Sequence, residues 1–229
     1  MLITRPEPGA RQTALRVAAL GLTPIMAAAL VVEPLPGRLP PAAGIAAVVA
    51  ASGNVLDACL PGFRDTILLT VGDATAARAR ALGFTRVTSA DGDAAALAAL
   101  AARLLRPADG PLLLPCGRGQ GAVLATMLRQ AGFRVNRRVV YAARPARTLP
   151  PAAAAALRSG EVRAALFFSA ETARAFVRMI QRAGLSGALG GVDALAIGGA
   201  AGVALQALPW RHVGVAAKPT QDAMLALLP

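Results

Sequence analysis

The sequence predicts an α/β protein built from two similar Rossmann- or flavodoxin-like lobes, each a parallel sheet covered by helices. Three observations lead there. Short apolar segments alternate with alanine-rich amphipathic ones along the 229 residues, the pattern of consecutive βαβ units. Part of the chain repeats: Val71-Gly72-Asp73-Ala74-Thr75-Ala76 is answered 126 residues later by Ile197-Gly198-Gly199-Ala200-Ala201-Gly202, with Leu82, Phe84 and Val87 carried onto Leu208, Trp210 and Val213. A second echo sets Ala50-Ala51-Ser52-Gly53-Asn54 against Phe167-Phe168-Ser169-Ala170-Glu171 at an offset of 117. Third, two proline-bearing stretches, 33–41 and 142–151, separate the blocks.

Each element follows from its local pattern. A strand over 2–4 opens the chain. A helix over 6–20 follows, with proline in its first turn, where the missing N–H costs nothing, and Gly21 as its stop. The apolar run 24–32 is read as one buried strand. The connector 33–41 holds four prolines and a glycine. In the middle block, strands over 45–50, 66–71, 86–88, 111–114 and 135–141 alternate with helices over 54–60, 74–82, 93–105 and 121–131. After the second crossing, helices over 152–159, 171–183, 200–208 and 220–228 alternate with strands over 164–168, 194–197 and 212–216. If the first crossing leaves a lobe and the second returns to it, residues 1–32 and 148–229 form one discontinuous lobe and 43–138 an inserted one. The stretches 33–42 and 139–147 are then the strands of a two-strand linker. A simple split near residue 145 is the competing reading.

Composition narrows the function. A chain of this length buries roughly 70–75% of its unfolded surface. No apolar run approaches the ~20 residues that span a bilayer. The opening Met1-Leu2-Ile3-Thr4-Arg5-Pro6 lacks the basic-then-apolar order of a secretory signal, so a cytoplasmic protein is expected. Cys59 and Cys116 form no C-x-x-C pair and are read as buried free thiols. His212, the only histidine, stands beside Trp210-Arg211 and is read as structural, which argues against a metal site or a Ser-His-Asp triad. The net charge is +12, but the arginines are dispersed and aromatics make up 3%, unlike a nucleic-acid binder. Two readings of the charge stay open: a solvated arginine-rich surface, or an acidic small ligand.

Six strand-to-helix junctions have the form that binds anions through helix N-termini: Thr4-Arg5-Pro6, Ser52-Gly53-Asn54, Gly72-Asp73-Ala74-Thr75, Cys116-Gly117-Arg118-Gly119, Ser169-Ala170-Glu171 and Gly198-Gly199-Ala200. Gly117-x-Gly119-x-Gly121 lacks the spacing of a dinucleotide fingerprint, and no phosphate loop of the Walker type occurs. Tyr141 is the only tyrosine. It is either a packing plug between lobes or a donor, since a phenol with an ordinary pKa of about 10 keeps its proton at neutral pH.

Taken in order, several segments resemble the uroporphyrinogen-III synthases over essentially the whole chain. They are Ile3-Thr4-Arg5-Pro6, Ala51-Ser52-Gly53-Asn54, Val71-Gly72-Asp73-Ala74-Thr75-Ala76, Leu113-Leu114-Pro115-Cys116-Gly117, Val140-Tyr141, Phe167-Phe168-Ser169 and Pro219-Thr220. The resemblance implies two α/β lobes joined by a two-strand linker, with the N-terminal segment packed into the C-terminal lobe. It also implies a monomer that uses no cofactor or metal and closes the linear octacarboxylate hydroxymethylbilane into uroporphyrinogen III. In that reaction ring D is inverted and water is lost. The substrate would come by hand-over from hydroxymethylbilane synthase, and neither nucleic acid nor membrane takes part. Tyr141 matches the family's helper for hydroxyl departure. Ser52, Gly53, Asn54, Gly72, Thr75, Gly117, Ser169, Ala170, Gly198, Gly199 and Ala200 are implied as carboxylate holders, with Arg5 either a carboxylate partner or a surface charge. The chain departs from the family pattern at Ala201, where a threonine is usual, and at Ala51. A non-catalytic two-lobed binder of an anionic tetrapyrrole or other polycarboxylate is the alternative.

Overall fold

The structure, a computed structural model, describes residues 1–36 and 39–228, except the side chains at 59–61. The expectation for Cys59, and the Gly37-Arg38 part of the expected linker, lie outside the described residues.

The chain begins with β1 (Leu2–Ile3), α1 (Gly9–Ala19), β2 (Ile25–Met26) and β3 (Leu30–Pro34). Helix α1 starts at Gly9 instead of residue 6, because a residue that precedes proline is pushed out of the helical region and Pro8 follows Glu7. The run 24–32 is two strands instead of one. Past β2 the chain still follows β1, with the N–H groups of Ala27 and Ala29 donating to the carbonyls of Ile3 (2.9 Å) and Thr4 (2.8 Å). At Leu30 it enters β3, which belongs to the other sheet.

Next come β4 (Ala47–Ala50), a 3₁₀ turn at Gly53–Val55, α2 (Leu56–Phe63), β5 (Ile67–Thr70), α3 (Asp73–Ala81), β6 (Val87–Ser89) and α4 (Ala94–Leu104). After them run β7 (Leu112–Gly117), α5 (Ala122–Gln130) and β8 (Val135–Pro145). The last stretch holds α6 (Pro151–Arg158), β9 (Ala164–Phe167), α7 (Ala170–Arg182), β10 (Asp193–Ala196), α8 (Gly199–Leu205), β11 (His212–Val215) and α9 (Gln221–Leu225). Strand β8 runs through Arg144 and Pro145, so the start of the expected polar crossing at 142–151 is strand.

Two compact units result: residues 1–31 with 144–229, and residues 32–143. The first holds the sheet β11-β10-β9-β1-β2; the second is built around the sheet β3-β8-β7-β4-β5-β6. The pairs β1–β2, β1–β9, β9–β10 and β10–β11 are parallel, as are β4–β5, β4–β7, β5–β6 and β7–β8. Read along the sheets, β6-β5-β4-β7-β8 matches β11-β10-β9-β1-β2. The pair β7–β8 thus holds the place of β1–β2 but comes last in its unit, so the units are circular permutations of one topology. That is why the sequence echo spans β4 to β6 against β9 to β11 and then stops. The nine-residue step between offsets 117 and 126 falls mostly between helix and following strand. Residues 183–192, with a 3₁₀ turn at Ser186–Leu189, link α7 to β10, against 64–66 between α2 and β5. The 13 residues of α7 answer to the 3₁₀ turn at Gly53–Val55 and α2 together.

Both faces of each sheet are covered, which makes the strands read as unbroken apolar runs. In unit 32–143, Val48, Leu68 and Leu113 pack on one face beside Leu56 and Tyr141, while Val49, Leu69, Leu112 and Leu114 pack on the other beside Leu97 and Leu128. In the other unit, Ile3, Leu166 and Leu195 pack with Ala10, Val17 and Met224.

The start of β10 shows how charge is held in this unit. Asp193 is buried, its Oδ1 accepts from Arg211 Nε at 2.7 Å, and its Oδ2 pairs with Arg211 Nη2. These bonds hold the Asp193 carboxyl below its ordinary value. A depressed folded-state pKa adds stability above the unfolded value of about 3.9 and loses it as pH falls through the folded value. Asp193→Asn is therefore expected to lower Tm by a few degrees at neutral pH and to flatten the acid side of the Tm profile. An unchanged acid limb would show that the pair contributes nothing there.

Candidate active site

Ligands of parallel sheets bind beyond the carboxyl ends of the strands, where helix N-termini leave N–H groups unpaired. In unit 32–143 the turn after β4 is capped by Ser52, whose extended backbone (φ −152°) lets its Oγ accept from the Asn54 N–H at 3.3 Å. The Gly53 carbonyl accepts from the Arg78 guanidinium, which also holds both Asp57 oxygens at 3.0 Å. Arg78 therefore ties the turn after β4 to α3. Sequence reasoning missed it, although it stands one helical turn beyond Thr75, on the same face. Thr75 Oγ1 is 3.9 Å from where a Cβ on Gly53 would sit, so the two turns meet. Among the described residues neither the Ser52 nor the Thr75 hydroxyl donates to a protein acceptor, and each keeps its hydrogen for a ligand. Gly72 caps α3, with its carbonyl accepting from the Thr70 hydroxyl (3.3 Å) and from the Thr75 N–H (3.1 Å).

Gly117 ends β7 at a register shift that sets it opposite Tyr141. A Cβ there would lie 2.7 Å from the Tyr141 ring and 2.8 Å from Gln120 Oε1, so only glycine admits this contact. Tyr141 is 4% exposed and shares its buried cluster with Ala50 and Val55, which flank the Ser52 turn. Its hydroxyl donates to Gln120 Oε1 at 2.7 Å. Gln120, exposed on the β7–α5 loop, is another residue that sequence reasoning did not single out. The neighbouring Cys116 is a buried free thiol; burial raises its pKa and Arg137 pulls against that. The net shift keeps it protonated and a poor nucleophile.

In the unit formed by 1–31 and 144–229, Arg5 follows β1. Its guanidinium stands 4.2 Å above the Phe168 ring and donates to the Thr13 hydroxyl at 3.4 Å. Burial lowers its pKa from the ordinary arginine value, yet a guanidinium remains charged. Among the described residues no carboxylate is paired with it. Beside it, Ser169 caps α7: its Oγ accepts from the Thr172 N–H (3.1 Å) and donates to Thr172 Oγ1 (2.9 Å). That hydroxyl is committed to the helix, so what this turn offers a ligand is backbone N–H, with Ala170 opening the helix.

Gly198, with Gly199 and Ala200 after it, repeats the Gly72 turn. The Ala201 N–H donates to the Gly198 carbonyl at 3.0 Å just as Thr75 does to Gly72, but Ala201 buries a methyl where Thr75 presents a hydroxyl. Asp73 and Glu171 lie in the first turns of α3 and α7, whereas α8 has no acidic residue there. These two carboxylates already offset part of the positive helix ends they occupy.

A cavity of about 470 Å³ in the same unit lies at the opposite, amino ends of the strands, lined by Ile25, Arg163, Ala164, Asp193 and Arg211 among others. It contains none of the predicted site residues. Among the described residues no group of three or more His, Cys, Asp or Glu is placed to hold a metal ion. No described helix is long and apolar enough to cross a membrane.

The family model described as uroporphyrinogen-III synthase HemD matches residues 11–226. No curated protein sequence matches the chain. Among solved structures, the uroporphyrinogen-III synthetase of Helicobacter pylori superposes with a TM-score of 0.64 at 17% identity, covering 99% of this chain and 96% of that one. A mutant uroporphyrinogen III synthase from the extremely thermophilic bacterium Thermus thermophilus gives a TM-score of 0.49 at 20% identity, with coverages of 98% and 95%. The wild-type form of that enzyme gives 0.44 at 22% identity, with coverages of 93% and 90%. The first of these shares the two-sheet α/β fold.

Proposed function

Since the chain belongs to the uroporphyrinogen-III synthase family, we propose that it is a hydro-lyase that closes hydroxymethylbilane to uroporphyrinogen III, inverting ring D as water leaves. The observation that carries this reading is the family match over residues 11–226. The site chemistry supports it. In each unit, helix N–H groups lie at the carboxyl ends of the strands, with the Ser52 and Thr75 hydroxyls in one, and in the other the partly buried Arg5 lacks a protein carboxylate among the described residues.

The reaction needs little covalent help. The hydroxymethyl C–O bond breaks as the adjacent pyrrole nitrogen supplies electrons, and the hydroxyl leaves with an added proton as water. The resulting azafulvene is then attacked from the substituted carbon of ring D, giving a spiro intermediate on the way to the inverted ring. Unguided closure takes the other carbon. Catalysis is therefore chiefly orientation of a flexible chain. Tyr141 is assigned the proton for the departing hydroxyl. Ser52, Thr75 and the N–H groups around Asn54, Gly72, Gly117, Ala170 and Gly198 to Ala200 are assigned carboxylates, as is Arg5. We place the enzyme in the cytoplasm as a monomer fed by hydroxymethylbilane synthase.

The test is incubation with freshly prepared hydroxymethylbilane and separation of the products. Isomer III is expected, formed faster than spontaneous closure. Isomer I alone, at the uncatalysed rate, would leave the protein a binder of anionic tetrapyrroles.

A further inference from the structure

We propose that Gln120 is a positioning residue for Tyr141: its side-chain carbonyl accepts from the phenol and holds the O–H in one donating orientation. This deepens the assignment of Tyr141 as proton donor and rests on it. A phenol O–H can turn about its C–O bond, and a strong acceptor at 2.7 Å removes that freedom.

An exposed glutamine would ordinarily be too mobile for this work, because fixing its side chain costs rotamer entropy. The loop around Gln120 reduces that freedom before the side chain is placed. The Gln120 N–H donates to the Gly117 carbonyl at 3.0 Å, and the Gln120 carbonyl accepts from Arg137 Nη1 at 2.6 Å. Gly119 and Gly121 on either side take left-handed conformations, with φ of 76° and 80°, which close the loop over the strand end. The missing Cβ of Gly117 leaves room for the Tyr141 ring and the Gln120 amide together. The Arg118 N–H donates to the Tyr141 carbonyl at 2.9 Å, so the loop also holds the tyrosine's own backbone. The Gln120 amide nitrogen has no protein acceptor among the described residues, which leaves it for a ligand.

The chain has one tyrosine, so the tyrosine Fermi doublet in the ultraviolet Raman spectrum reports on this phenol alone. The full-length protein should show the doublet of a strong donor. Gln120→Ala should lose that signature and lower kcat about ten-fold or more with KM nearly unchanged. Gln120→Glu, which keeps an acceptor at the same reach, should retain the signature and most of the turnover. The proposal is overturned if the wild-type phenol accepts instead of donating. It is equally overturned if Gln120→Ala keeps wild-type kcat while Tyr141→Phe loses it. Full turnover in Tyr141→Phe would take down the assignment of Tyr141 itself, and with it any catalytic purpose for Gln120. The Raman signature separates that outcome from a failure of the Gln120 contact.

Discussion

Replacing Tyr141 by phenylalanine is expected to lower kcat by about 10²–10⁴-fold, the usual worth of a positioned general acid. The substitution is close to a pure deletion of the hydroxyl. The ring would still pack against Gly117 and within the cluster of Val48, Ala50 and Val55. The partner left behind, Gln120, is exposed and can turn to water, so the stability cost should stay near the ~1 kcal/mol of one hydrogen bond. A second readout comes from the product mixture. When assisted departure of the hydroxyl slows, spontaneous closure competes and the fraction of isomer I should rise. Unchanged turnover with unchanged isomer ratio would reduce the phenol to a packing group.

The largest stability effect is expected at Phe167, which closes β9. It is fully buried and meets Phe176 edge-on (5.3 Å between centroids, 73°) and Trp210 edge-on (5.7 Å, 74°). Phe176 and Trp210 stack at 6.1 Å, so removing Phe167 opens a void under two rings at once. Phe167→Ala should cost about 3–5 kcal/mol, against a total stability of roughly 5–15 kcal/mol for a typical domain. Trp210 is the only tryptophan, so its fluorescence reads the denaturation midpoint of this unit directly. A wild-type midpoint would show that the ring cluster is not the core of the unit.

Much of the element order was legible in the sequence because strands buried on both faces become apolar runs. Several helices also carry recognisable caps: Asp93 accepts from two backbone N–H groups of α4, and Ser169 and Thr220 each accept from one of their own helices. What was not legible depends on distant partners. The run 24–32 is apolar throughout, and hydropathy does not reveal that its two halves belong to different sheets. Strand β7 runs on through Pro115, Cys116 and Gly117, poor strand residues that are held by register against Arg138, Val139 and Tyr141. In the site, Ser52, Thr75 and Tyr141 stood out through their turns and the family resemblance. Arg78 and Gln120 did not, because their partners lie 25 and 21 residues away. Ser169 was visible as a polar cap, but only the geometry shows its hydroxyl spent on Thr172.

The unit made of 1–31 and 144–229 has a consequence for how the protein is made. Its strand β1 is flanked by β2 and β9, and Leu2 and Ile3 are fully buried there. During synthesis β2 follows within a few seconds, but β9 emerges only after the whole of residues 32–143 has been added. At ~5–20 residues per second the nascent N-terminal segment waits roughly 5–30 s with an apolar strand edge uncovered. Residues 32–143 are contiguous and all emerge before β9 does, so the growing chain carries a whole unit beside an apolar strand still open on one edge.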